Sequence, residues 1–356
     1  MMASSGFMID NDPAIVEVKN FATRNFVLEN GQTLPDLNLT YEAYGRLGAD
    51  ADNAILITHG YTSSQHAAGR DRSGEPGWWD GMIGPAKTID TRRYFVICSN
   101  MIGSSYGSTG PASVNPETGK PYGLEFPAIT VADMVRAQHL LLGKLGVSHL
   151  VAVAGPSYGG YQAFQWAVSY PREMDGVVAV VTAPSVSGGD AMVADLRARF
   201  SAAPGWNRGR YYESGGMRSF MTEFRIATLK RYGLEVELAN SFPEVTAREA
   251  ALRRLAEKWA DEFDPNSLIV LAQARAHFNA ERDFSRIQAK LLYVLSRTDN
   301  LFPPALAAPV MAKLKAAGVD ATYFQLDSDK GHLASGLDWM KWAPVLRDFL
   351  SGLAPA

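Results

Sequence analysis

The stretch that most constrains how this chain can fold runs from His149 to Pro171. His149 to Ala154 reads His-Leu-Val-Ala-Val-Ala, a short apolar run suited to a strand buried on both faces. Gly155-Pro156-Ser157-Tyr158-Gly159 comes directly after it. Gly160 to Tyr170 then places apolar residues at helical spacing, and Pro171 stops the helix. In a strand, Gly-x-Ser-x-Gly, helix unit the serine sits on a sharp, strained turn as an exposed nucleophile, and glycine alone leaves room for that backbone. Elsewhere strand-like runs alternate with helical ones, the pattern of a mainly parallel sheet flanked by helices.

The same five-residue pattern occurs at Gly103-Ser104-Ser105-Tyr106-Gly107, after the strand-like Tyr94 to Cys98. Its next residues, Ser108 to Pro121, make a turn-rich loop with no helix. Ser157 is therefore the expected nucleophile and Ser105 a decoy.

A serine nucleophile needs partners, which in this kind of sheet come in the order Ser, acid, His at the ends of later strands. Of the six histidines, His59 and His149 border strands, His66 lies in a loop, and His139 and His277 fall in helical stretches. Only His332 comes late, after the strand-like Thr322 to Leu326. The preceding strand-like run, Leu291 to Leu295, leads into Ser296-Arg-Thr-Asp299. Asp299 is placed to accept from His332 Nδ1–H and to stabilise the imidazolium formed when His332 takes the serine proton. Asp327 and Asp329 compete for that role, but so near His332 they suit turn capping better. Two backbone amides should receive the oxyanion: that of Tyr158, directly after the nucleophile, and that of Tyr61, in the turn after the strand Asn53 to Thr58. His59, in that turn, reads as a structural hydrogen-bonding residue.

Longer matches add to this reading. They include Leu39-Thr-Tyr-Glu-Ala-Tyr-Gly45, His66-Ala-Ala-Gly69, Gly77-Trp-Trp-Asp-Gly-Met-Ile-Gly-Pro85, Gly107-Ser-Thr-Gly-Pro111 and Asn115-Pro-Glu-Thr-Gly119. With the elbow itself, Leu301-Phe-Pro-Pro304 and Gly331-His332, they make the chain resemble the homoserine O-acetyltransferase family of α/β-hydrolase enzymes. The resemblance implies an α/β-hydrolase fold, with Ser157, Asp299 and His332 at the family's catalytic positions. It also implies acetyl-CoA as a possible acyl donor, no bound cofactor, and a homodimer. Two positions depart from the family. An Asp usually comes after the catalytic His, and here Leu333 stands there; an ungapped alignment puts Met221 where a lid helix usually carries Arg, with Arg218 or Arg225 standing in if the register shifts. Met221 and Leu333 are thus candidate substrate-pocket residues. A site without those charges should bind a zwitterionic acceptor poorly, because buried charges need partners.

With 356 residues and 47% hydrophobic composition the chain can bury a large core. Residues 1–184 and 286–356 read as the α/β-hydrolase core. Residues 185–285 read as an inserted helical lid, with the amphipathic Ala247 to Asp261 and a second helix over Leu268 to Phe278; a dimerisation element or simple packing is the plainer, and compatible, reading of the same segment. Leu37 to Ala43 alternates like an antiparallel strand, and further helices are expected over Ala132 to Leu145, Ala305 to Ala317 and Trp339 to Leu353. A net charge of −3 without a basic block argues against nucleic acid, and no apolar run is long enough for a membrane span. Met1 to Asp10 lacks the pattern of a secretory signal, and a single Cys98 suits a reducing cytoplasm. No phosphate loop or metal-ligand spacing is present. Among aromatic residues that could line a pocket (Tyr61, Trp78, Trp79, Tyr106 and Tyr158), Tyr158 is nearest the nucleophile.

The sequence thus points to serine acyl transfer on a small-molecule acyl substrate. Hydrolysis of a small ester or thioester is the first reading. Acetyl transfer from acetyl-CoA to homoserine or another small alcohol is the second, and a non-catalytic ligand-binding module is the reading from another class.

Overall fold

A computed structural model describes residues 15–214 and 216–353. Residues 1–10, read above for a secretory signal, lie outside that span. Eight strands form one sheet: β1 (Lys19–Val27), β2 (Thr33–Tyr44), β3 (Ala54–Thr58), β4 (Phe95–Ser99), β5 (Leu150–Pro156), β6 (Met174–Val180), β7 (Lys290–Ser296) and β8 (Ala321–Leu326). Their spatial order is β1-β2-β4-β3-β5-β6-β7-β8. β1 and β2 pair antiparallel, β2 pairs antiparallel with β4, and every later pairing is parallel.

Burial reflects position in the sheet. Every residue of β3 is buried, because helices cover both faces of the central strands. Alternate residues divide between two cores: Ala54 and Leu56 pack toward one face with α1 (Val131–Lys144) and α2 (Tyr158–Ser169), whereas Ile55 and Ile57 pack toward the other with Trp342, Leu346 and Leu350. β1 is not among the strands expected from sequence. It is an edge strand with one buried residue, Phe26, so its alternation is faint.

Between β6 and β7 the chain forms α3 (Gly189–Ser201), α4 (Arg218–Tyr232), α5 (Leu234–Ser241), α6 (Val245–Glu262) and α7 (Pro265–Arg275). Among the described residues no strand interrupts them, apart from an isolated bridge, Ser185 to Asn279, at their base. α7 stops at Arg275, so His277 lies beyond the helix expected to contain it. α8 (Ala307–Ala316) and the short α9 (Ala334–Leu337) come after β7 and β8. The helix expected over Trp339 to Leu353 is broken at Trp342, and α10 (Ala343–Ser351) restarts there on Pro344, whose missing N–H suits a first turn. No helix of the described residues is long and apolar enough to cross a membrane.

Candidate active site

β5 delivers the elbow. Ser157 takes φ 56° and ψ −121°, an unfavourable backbone for a residue with a side chain, and α2 starts at the next residue. The strained turn is held on both sides: Ser157 N–H donates to Val180 O (2.9 Å), and Thr182 Oγ1 donates to Ser157 O (2.7 Å). The flanking glycines are needed for close approach. A Cβ at Gly155 would lie 2.1 Å from Thr58 Oγ1, and one at Gly159 would lie 2.3 Å from Thr58 O.

Asp299 comes after β7 and His332 after β8, so neighbouring strand ends bring both to the elbow. His332 Nδ1 lies 2.8 Å from Asp299 Oδ2, and His332 Nε2 lies 2.9 Å from Ser157 Oγ. An ionised carboxylate can only accept, so Nδ1 carries the proton and Nε2 is left to receive one from the serine. Asp299 is 1% exposed, and its other oxygen accepts from the amides of Leu301 (2.8 Å) and Phe302 (3.3 Å). The imidazole lies between Tyr232 and Phe302, at ring distances of 5.0 and 5.7 Å. Phe302 belongs to the Leu301-Phe-Pro-Pro304 segment just after Asp299, whereas Tyr232 carries no sequence signal, since a helix distant in sequence brings it in. Asp327 instead pairs with Arg297 at 2.6 Å on the surface, and Asp329 sits beside Lys330. Ser105 Oγ accepts from the amide of Asp264 (2.8 Å).

The amides of Tyr61 and Tyr158 have no hydrogen-bond partner among the described residues. His59 is fully buried and bridges Gly60 O and Asn100 Oδ1, both at 2.9 Å. Burial pushes its imidazole down to about 4, which keeps it neutral at pH 7.

A cavity of about 240 Å³ opens above Ser157 and His332. Tyr61, Trp78 and Trp79 line it from the core, Leu333 lies beside His332, and α4 contributes Arg225 and Tyr232. Tyr158 and Tyr106 do not line it. The Tyr158 side chain turns away and donates to Leu271 O (3.0 Å), and Tyr106 packs on Phe263. Met221 also differs from expectation: it is 1% exposed inside the main core and is not among the cavity-lining residues. Arg225, four residues later and so one helical turn along the same face, does reach the cavity and is the arginine of α4 that lines it. Arg218 is occupied at the surface by Asp261.

Arg225 has unusual surroundings. Its Nη1 donates to Thr62 Oγ1 (2.7 Å), its Cζ lies 4.8 Å from the Trp259 ring centre, and its buried Nε has no partner. Burial lowers its pKa from the ordinary value. No carboxylate pairs with it among the described residues, and no Asp or Glu lines the cavity. No cluster of three or more His, Cys, Asp or Glu among those residues could hold a metal ion.

The alpha/beta hydrolase fold family matches residues 53–337. The homoserine O-acetyltransferase of Geobacter sulfurreducens is 39% identical over 347 residues, covering 91% of this chain and 94% of that one. Among solved structures, esterase E22 superposes with a TM-score of 0.86 at 30% identity, covering 94% of this chain and all of that one. The homoserine O-acetyltransferase from Bacillus anthracis superposes at 0.85 and 29%, covering 95% and 98%. With strand order, elbow and full-length similarity in agreement, the chain belongs to the homoserine O-acetyltransferase-like family of α/β-hydrolase enzymes.

Proposed function

We propose that this enzyme transfers an acyl group from a small ester or thioester to Ser157 and then to water. His332 Nε2 takes the proton of Ser157 Oγ as that oxygen attacks the acyl carbonyl, and Asp299 steadies the imidazolium. The Tyr61 and Tyr158 amides donate to the oxyanion. As the tetrahedral intermediate collapses, His332 returns its proton to the leaving alcohol or thiol. The same histidine then activates water against the acyl-enzyme. No bound cofactor is required, α3 to α7 act as a lid over the reaction, and the enzyme works in the cytoplasm as a homodimer. The last two points rest on family resemblance and on the single cysteine.

One observation carries the choice of water: the cavity holds a single unpaired guanidinium, Arg225, and no acidic side chain. Arg225 suits a substrate carboxylate, but the ammonium group of a free amino acid would have no counter-charge, with Leu333 beside His332. Acetyl transfer from acetyl-CoA to homoserine is the second reading, favoured by the 39% identity with a homoserine O-acetyltransferase. Acylating the protein with p-nitrophenyl acetate and raising homoserine separates the two. Free acetate that dominates at every homoserine concentration supports hydrolysis; O-acetylhomoserine that takes over refutes it. A Ser157 inert to a serine-directed phosphonate would instead indicate a non-catalytic binding module.

A further inference from the structure

The two residues whose amides are assigned to the oxyanion under the proposed function are tied by their side chains to one helix of the inserted segment. The Tyr61 hydroxyl donates to Leu268 O, and the Tyr158 hydroxyl donates to Leu271 O at 3.0 Å. Their rings stack at 5.7 Å and 13°. Leu268 and Leu271 lie three residues apart on α7, and Arg275 comes four residues later, so all three share one face. The helix is fixed at its other end, where the Asp264 side chain caps Ser267 N–H (3.0 Å) and the Asp264 amide donates to Ser105 Oγ.

Arg275 closes this arrangement. Its Cζ lies 5.7 Å from the centre of the Tyr61 ring, and its Nη2 approaches Met192 Sδ at 2.6 Å. No carboxylate pairs with it among the described residues. A partly buried cation without an anion is costly, and here the π face of Tyr61 stands where a carboxylate would. Its charge also opposes the rise that burial causes in the phenol pKa values of Tyr61, Tyr158 and Tyr161.

We propose that Arg275 is a positioning residue that, through Tyr61 and Tyr158, holds the two oxyanion-donating amides in register, so that α7 of the inserted segment sets the geometry of the oxyanion hole. This rests on the assignment of those amides under the proposed function. The end of β3 and the elbow already meet where Thr58 Oγ1 donates to Gly159 O (2.8 Å), and the stacked tyrosines clamped on α7 add a second tie on the side of the two amides.

The test compares Arg275→Met, Arg275→Lys and Tyr158→Phe with the parent protein. Measured quantities are kcat and KM on p-nitrophenyl acetate, Tm, and inhibition by an alkyl trifluoromethyl ketone and by the matching methyl ketone. The trifluoromethyl ketone forms a tetrahedral serine adduct whose oxygen occupies the oxyanion hole, whereas the methyl ketone reports ground-state binding. Removing a whole oxyanion donor costs about 10²–10³ in rate, so misalignment in Arg275→Met should lower kcat about tenfold. KM and methyl-ketone binding should hold within about twofold, trifluoromethyl-ketone binding should weaken about tenfold, and Arg275→Lys should recover part of the loss. Tyr158→Phe should move the same readouts in the same direction and serves if Arg275→Met does not fold. Unchanged trifluoromethyl-ketone binding, or equal losses for both ketones, overturns the proposal. If the parent protein forms no ketone adduct at all, the reading of Ser157 and its amides fails first, and the two failures are told apart.

Discussion

The two Gly-x-Ser-x-Gly turns of this chain share a pattern and differ in nearly everything around it. At the second, the serine itself takes the strained backbone, with φ 56°, and its hydroxyl faces His332. At the first, the positive φ falls on Gly103, Tyr106 and Gly107, while Ser105 accepts a hydrogen bond from the start of α7. The first turn nonetheless supports the second. Ser105 O accepts from Asn100 Nδ2 (2.5 Å), and Asn100 Oδ1 meets His59 beside the turn that presents Tyr61. Local spacing thus says that a serine sits in a tight turn; what the turn connects decides whether that serine reacts or supports.

The sharpest way to break this contrast is to remove the second serine. Ser157→Ala should lower turnover of p-nitrophenyl acetate by about 10⁴–10⁶ and abolish phosphonate labelling, with little change in Tm. A variant that keeps more than a tenth of its activity would remove Ser157 from the mechanism. Next comes the acid. Asp299→Asn preserves shape but favours the wrong imidazole tautomer, and kcat should fall by about 10⁴. Asp327→Asn breaks only a surface pair with Arg297 and should leave kcat unchanged, since exposed pairs contribute about 0–1 kcal/mol. Equal losses from both would mean that the acid had been misassigned.

The elbow, its acid and its histidine are legible in the sequence because each comes just after a short apolar strand, and the strand order then brings the ends together. The cavity wall is harder to read. Arg225 and Met221 are one turn apart on α4, so a small alignment slip exchanges a core residue for a cavity residue on the same helical face. Tyr158 misleads in another way: adjacency in sequence to the nucleophile sends its side chain to the opposite side of the turn, onto Leu271. β1 leaves little trace because an edge strand with one buried residue need not alternate. Strand ends can be inferred from local pattern, whereas a wall assembled by inserted helices depends on packing between distant segments.

The link between the two turns has its own pH signature. Burial holds His59 at about 4, below the ordinary value of about 6.5 for histidine, so the unfolded chain takes up a proton first as pH falls. Stability is unaffected above about pH 6.5 and drops between about 6.5 and 4, by about 2–3 kcal/mol from this group. Urea unfolding at pH 7.5 and 4.5 should therefore show a smaller difference for His59→Gln, which keeps a hydrogen-bonding side chain without titrating. An identical difference in variant and parent would show that His59 does not contribute.

The smallest effect is expected where the pattern is most misleading. Ser105 is buried, and its Oγ satisfies the amide of Asp264 at the head of α7. Ser105→Ala leaves that amide without its partner, which costs about 1–2 kcal/mol. The loss should appear as a lower urea midpoint. Acylation of Ser157 needs nothing from the Ser105 hydroxyl, so initial burst amplitude should stay at one acyl group per active site. kcat should shift by less than about threefold, and only because α7 also holds the tyrosines beside the elbow. A burst lost in Ser105→Ala with an unchanged urea midpoint would reverse the assignment of the two turns. A lowered midpoint with an intact burst would leave Ser157 the reacting serine, with Ser105 supporting the helix that aligns its oxyanion donors.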